Sequence, residues 1–268
     1  MDYEEVFLDK RLKNFSQYGN KEKGITFSYE LESKDLKLVY FENCLWRFGD
    51  IKLLKVMCSV MHYVSAFLNC SDINASTEYI QNFSAHTVYE MVMHKKVRLS
   101  CWVYAQYLTE CFLAMGIPAR MVRCFSGIYG DKDCHCVTLA YCEEYKKFVL
   151  FDPANNIVLY SYKGVPLDIR ELRDMLISGE RILFLQKTNE ERIKFLYYWK
   201  KNLIFFQCYE RQKCGNELSR DVRNANRMVI LRPKRIGLYA KFMLAGKAYP
   251  SVCTMNQDEF WKLPQMHK

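Results

Sequence analysis

Cys101, His135 and Asp152 are of the residue types, and in the chain order, that a thiol acylation site could use. A cysteine attacks a carbonyl as its thiolate, with a base beside it and a third group that holds the base in place. Cys101 opens an apolar stretch, Cys101-Trp102-Val103-Tyr104-Ala105-Gln106-Tyr107-Leu108, that runs on to Met115. Small or apolar residues at 101, 104, 105, 108, 112 and 115 recur at helical spacing. Gly116 suits the left-handed position after a helix, and Pro118 cannot extend one. The spacing predicts a helix with Cys101 in its first turn, where unpaired N–H groups and the helix dipole favour thiolate over thiol.

His135 lies in a strand-like run, Cys134 to Tyr141, and a second run, Lys147 to Phe151, ends at Asp152-Pro153. Cys142 to Lys146 connects them. A hairpin centred between Glu143 and Glu144 sets His135 directly opposite Asp152, on one face. Directly opposed residues have Cβ atoms about 5 Å apart, which lets a carboxylate accept an imidazole N–H and fix its tautomer. A one-residue slip would put Asp152 on the other face.

Each residue also has a bland explanation. Cys101 alone reads as one more packing cysteine, Asp152 as an Asp-Pro strand terminator, His135 as a core histidine bonded to a carbonyl. Their joint occurrence with Gly116-Ile117-Pro118-Ala119-Arg120 favours chemistry. A zinc site at Cys134-His135-Cys136 is disfavoured, because a strand sends both cysteines to one face and the histidine to the other.

Together these residues resemble the transglutaminase-like superfamily of cysteine enzymes. The resemblance rests on Cys101-Trp102-Val103-Tyr104-Ala105, on Gly116 to Arg120 fifteen residues after the cysteine, and on His135 and Asp152-Pro153. It covers about 95 to 160. It extends more weakly through Pro166 to Arg173, Lys201 to Phe205 and Phe260 to Pro264, which look like bacterial stand-alone members. Ser100 stands where the family often has glycine, and Val137 where it often has an aromatic residue. The resemblance implies an α+β, papain-like core with the nucleophile-bearing helix packed on an antiparallel sheet. It implies a peptidase, isopeptidase, deamidase or protein-glutamine acyltransferase that works through a thioester on Cys101 and needs no cofactor. A protein or peptide is the implied substrate. The Cys101 N–H would be one oxyanion donor, with Gln81, Asn82 and Tyr89 open as the second. Calcium is expected only in large animal members, and no Asp/Glu-rich loop is present to bind it.

With 268 residues, half of them apolar, the chain can bury a full core. The expected organisation is one domain over 1–268: a helical part to 94, a catalytic core over 95–160, and a basic extension over 181–268. No run of about 20 apolar residues exists, so no membrane span is expected. The acidic start, Met1 to Glu5, does not resemble a signal peptide. Twelve cysteines with no Cys-x-x-Cys pair suggest a reduced, cytoplasmic protein that uses cysteine as a small hydrophobe.

Of the net charge of +9, residues 181–247 contribute sixteen Lys/Arg against five Asp/Glu. That region could meet an anionic partner, with nucleic acid the less favoured occupant, or could simply be a solvated face. It also supports the competing reading, a catalytically silent transglutaminase-like binding or scaffold module. Helical segments are expected at 36–41, at 51–68 and from Ser76 to about Met93, with a loop at 71–76. Asp168 with Glu171 reads as a capping box for a helix ending at Gly179. Strands are expected at 121–125, 203–208 and 227–232, the last two joining the same sheet.

Overall fold

The computed structural model describes residues 3–19, 24–49, 52–69, 82–94, 99–128, 131, 133–184, 188–217, 226–234 and 251–264. In chain order these form α1 (Tyr3–Asn14), β1 (Ser28–Tyr29), α2 (Lys34–Glu42), a short 3-10 turn (Leu45–Phe48), α3 (Leu54–Asn69), β2 (Asn82–Phe83), α4 (Ala85–His94) and α5 (Cys101–Ala114). Then come β3 (Ala119–Phe125), β4 (Cys134–Cys142), β5 (Lys147–Asp152), β6 (Ile157–Ser161), α6 (Ile169–Ser178), β7 (Ile182–Phe184) and α7 (Asn189–Asn202). The last elements are β8 (Phe205–Tyr209), β9 (Arg211–Gln212), β10 (Asn216–Glu217), β11 (Met228–Leu231), β12 (Ser251–Thr254) and the single-turn α8 (Gln257–Phe260).

The architecture is α+β. Eight strands form one sheet in the order β12-β11-β8-β3-β4-β5-β6-β7. All its pairings are antiparallel except β11 with β12, which is parallel. The basic C-terminal part therefore adds β8, β11 and β12 to the sheet that carries β4.

Alternate residues of the central strands enter different cores, as a pleated strand requires. Val137, Leu139 and Leu150 pack with Leu12, Leu172 and Trp199 of α1, α6 and α7. Ala140, Cys142, Val149 and Phe151 pack with α2 to α5. Covering both faces leaves β3 and β5 buried almost throughout, Arg120 of β3 included.

Helix α5 ends as its sequence predicts. Gly116 takes a φ of 77°, its N–H donates to Leu113 O, and the Ile117 N–H donates to Phe112 O at 2.9 Å. This paired closure satisfies carbonyls that the helix end would otherwise orphan. Thr138 Oγ1 donates to Ala105 O at 2.7 Å, fastening α5 onto β4. The capping box of α6 forms in both directions between Asp168 and Glu171.

Two expectations are corrected. Inside the helix expected from Ser76 to about Met93, Asn82 and Phe83 instead pair with Glu217 and Asn216, and α4 opens at Ala85; residues 77–80 lie outside the described residues. The 71–76 loop and Gln81 lie outside the described residues. The hairpin register differs as well. Cys142 pairs with Lys147 and Thr138 with Phe151, so the turn is centred between Glu144 and Tyr145. Lys146 takes a φ of 51° within the turn, and β5 opens at Lys147 as expected. His135 is thus not directly opposite Asp152. One step further along this register Asp152 faces Val137, two residues from His135. A two-residue shift keeps both side chains on one face.

Candidate active site

The corrected register makes His135 and Asp152 diagonal neighbours, still within reach of each other. His135 Nε2 lies 2.7 Å from Asp152 Oδ2, with the ring 3% exposed and the aspartate fully buried. The turn after β5 holds that carboxylate. Asn155 donates its backbone N–H to Oδ1 at 3.2 Å and its side-chain amide to Oδ2 at 2.9 Å. The imidazole meets Tyr198 and Trp199 of α7 edge-on, with ring centroids 5.4 and 5.2 Å away. Trp199 is itself fully buried, so the His135–Asp152 pair is walled from water on that side.

Cys101 occupies the first position of α5. The Ser100 hydroxyl makes no cap bond, and Val103 and Tyr104 N–H groups reach back to Ser100 O. The N–H groups of Cys101 and Trp102 have no acceptor among the described residues, as expected of the first turn. Cys101 and Cys134 pack against a smaller buried cluster that includes Ala105, Met121, Cys136 and Phe205. Its sulfur lies 3.7 Å from Cys134 O, a weak contact for a thiol proton.

The thiol is pulled down to about 4, chiefly by a hydrogen bond from the Cys136 thiol and then by the hydrogen bond and charge of His135, while burial opposes the shift. Burial disfavours the charged His135 ring, but the Asp152 carboxylate and the Cys101 thiolate overcome it and push the imidazole up to about 10. Both shifts favour a thiolate–imidazolium pair at neutral pH. Nearby thiols differ: hydrogen bonding to Cys136 lowers Cys134 to about 7, and Cys136 is raised well above the ordinary range by its bonds to Cys101 and Cys134.

Two of the three residues open on one cleft of about 520 Å³: Cys101 and His135 line it with Asp133, Asn155, Glu191 and Tyr198, while the buried Asp152 stands behind His135. Tyr198 donates to Asp133 at 3.2 Å, and Lys201 pairs with Asp133 and Asp131 at 2.9 and 3.1 Å. These bonds tie the rim of α7 to the loop that precedes β4.

The structure thus brings together Cys101, His135 and Asp152. Of the second-donor candidates, Tyr89 stacks on Phe67 at 5.3 Å in the helical core and does not line the cleft. The side chain of Asn82 lies outside the described residues, although its neighbour Phe83 packs on Trp102 at 4.6 Å. Asn155, Tyr198 and Trp199 were not anticipated at the site. Asn155 had a local signal, an amide three residues after an aspartate that ends a strand. The two aromatic residues had none, since α7 reaches β4 only through the tertiary fold.

Several cations of the basic region are engaged internally: Lys200 with Asp9 at 2.8 Å, Lys201 as above, and Arg227 with Glu210. All described cysteines are free thiols. Among the described residues no helix is long and apolar enough to cross a membrane.

No family model and no curated protein matches the chain. Among solved structures, a candidate cysteine protease from Cytophaga hutchinsonii aligns with a TM-score of 0.32 and 18% identity, over 63% of this chain and 58% of that one. The chain therefore spans less than two thirds of the length of the structure it matches.

Proposed function

We propose that this protein is a transglutaminase-like cysteine enzyme that acts on amide bonds through a thioester on Cys101. The observation that carries the proposal is one cleft in which a helix-start cysteine meets an imidazole bonded at 2.7 Å to a buried carboxylate. The Cys101 thiolate attacks the carbonyl carbon of a side-chain or peptide amide. His135, already protonated, gives its proton to the departing amine, and Asp152 holds the ring in place. The developing oxyanion lies beside the unpaired N–H of Cys101. Water then resolves the thioester in a hydrolase or deamidase, with His135 as its base; a primary amine resolves it in an acyltransferase.

The competing reading, a silent binding module, draws on the basic C-terminal part, and internal pairing of Lys200, Lys201 and Arg227 weakens it. One experiment separates the readings. Glutamine-containing peptides are incubated with the protein, with and without a fluorescent primary amine, while ammonia release, chain cleavage and amine incorporation are followed. Turnover in any channel that vanishes in Cys101→Ala supports the enzyme. Turnover that persists in a folded Cys101→Ala variant refutes the nucleophile assignment.

A further inference from the structure

A second group of ligating side chains stands apart from the cleft. Glu42 ends α2, while His86 and Glu90 lie one turn apart on α4. One donor atom from each lies within 4.8 Å of the other two. His86 Nδ1 is 2.6 Å from Glu42 Oε1. The other oxygen, Glu42 Oε2, is buried without a hydrogen-bond partner among the described residues. Glu90 meets His94, one turn further on, at 3.3 Å.

This arrangement has two defects as an ion pair. The His86 contact engages only Oε1 of Glu42, and a buried acceptor without a donor is costly. Two carboxylates beside one imidazole also carry more negative charge than a single ring can offset. A divalent cation repairs both. We propose that Glu42, His86 and Glu90 bind a divalent transition-metal ion of the zinc type, which fastens α4 to α2.

The donor set selects the ion. One imidazole nitrogen with two carboxylate oxygens suits zinc and its neighbours, whereas calcium and magnesium take oxygen ligands. Bonds of about 2.1 Å set ligand atoms about 3.4 Å apart around a tetrahedral ion. The His86–Glu42 contact then has to open by less than about 1 Å, a side-chain adjustment. Water would complete the coordination, and His94 would orient Glu90 from outside it. The ion would steady more than a surface pair. Helix α4 starts where the Ala85 N–H donates to Glu110 at 2.7 Å, and Glu110 belongs to α5, the helix that begins at Cys101. The inference stands independently of the proposed reaction.

The test is titration of the reduced full-length chain with Co²⁺, followed by visible absorption, and with Zn²⁺, followed by thermal unfolding. One Co²⁺ per chain is expected, with ligand-field bands that owe nothing to sulfur-to-metal charge transfer. His86→Ala and Glu90→Gln should each weaken binding at least tenfold. Zn²⁺ should raise the unfolding midpoint of the native chain and leave both variants nearly unmoved, because an ion that binds only the folded state stabilises it. Glu90 is exposed, so Glu90→Gln decides the matter if His86→Ala fails to fold. The proposal is overturned if the native chain binds no cobalt. It is equally overturned if affinity is unchanged in Glu90→Gln, or if the bound cobalt shows only a thiolate spectrum that disappears in Cys101→Ala.

Discussion

Cys101 should be selectively alkylated at acid pH and not at alkaline pH. An ordinary thiol, with a pKa near 8.5, is about one-thousandth ionised at pH 5.5. Cys101, pulled down to about 4, is almost entirely thiolate there. That advantage of about 1,000-fold is partly cancelled, because a less basic thiolate is a weaker nucleophile. With a Brønsted slope of about 0.45, a drop of about 4.5 in pKa costs about 100-fold. Cys101 should therefore react about tenfold faster than a small cysteine peptide at pH 5.5. At pH 8.5, where the peptide is half ionised, it should react about fiftyfold slower by the same arithmetic. The assay is pulse labelling with iodoacetamide in one tube with the peptide, followed by mass spectrometry of the Cys101-containing fragment. A flat Cys101 rate between the two pH values is expected. A rate that climbs about tenfold per pH unit, as the peptide's must, would refute the ion-pair argument. His135→Ala should restore part of that slope, the Cys136 hydrogen bond retaining the rest.

Other outcomes follow from the same geometry. Turnover should be level across neutral pH, falling as pH drops through about 4, where the thiolate is lost, and as it rises through about 10, where the imidazolium is lost; a kcat/KM profile checks both limbs, which belong to the coupled pair. Asn155→Ala removes an amide bond to the Asp152 carboxylate and should lower kcat about tenfold with KM little changed, the effect of about 1.5 kcal/mol on one charged hydrogen bond. Arg120 is buried 4.6 Å from the Phe27 and Phe148 ring centroids and donates to Phe260 O, so Arg120→Ala should cost about 3 kcal/mol in urea unfolding. Asp168→Ala breaks the capping box of α6 and should cost about 1 kcal/mol by the same measurement.

What could be read from the chain was what its local chemistry dictates. Helix α5 was legible because Gly116 and Pro118 close it and its apolar residues recur at helical spacing. The capping box at Asp168 is a three-residue signal and formed as read. The β4–β5 hairpin was legible as a hairpin but misplaced by one residue at its turn, since a lysine with positive φ leaves no mark in sequence. The site survived because the resulting slip in pairing is even. Strand β2 was missed because its partner lies more than a hundred residues away in β10, and no local pattern announces such a pairing. Nothing local marked Tyr198 and Trp199 as neighbours of the site. Their place against His135 depends on where α7 docks, a property of the packed core. The metal cluster likewise joins Glu42 to a helix forty-four residues later.

The central claim is tested most directly by trapping the acyl-enzyme. The protein is mixed with a glutamine-containing peptide library, quenched in acid within one turnover and mapped by mass spectrometry. A hydroxylamine-labile acyl adduct is expected on Cys101 and absent from Cys101→Ala. An adduct on another cysteine, or turnover with no adduct at Cys101, would contradict it.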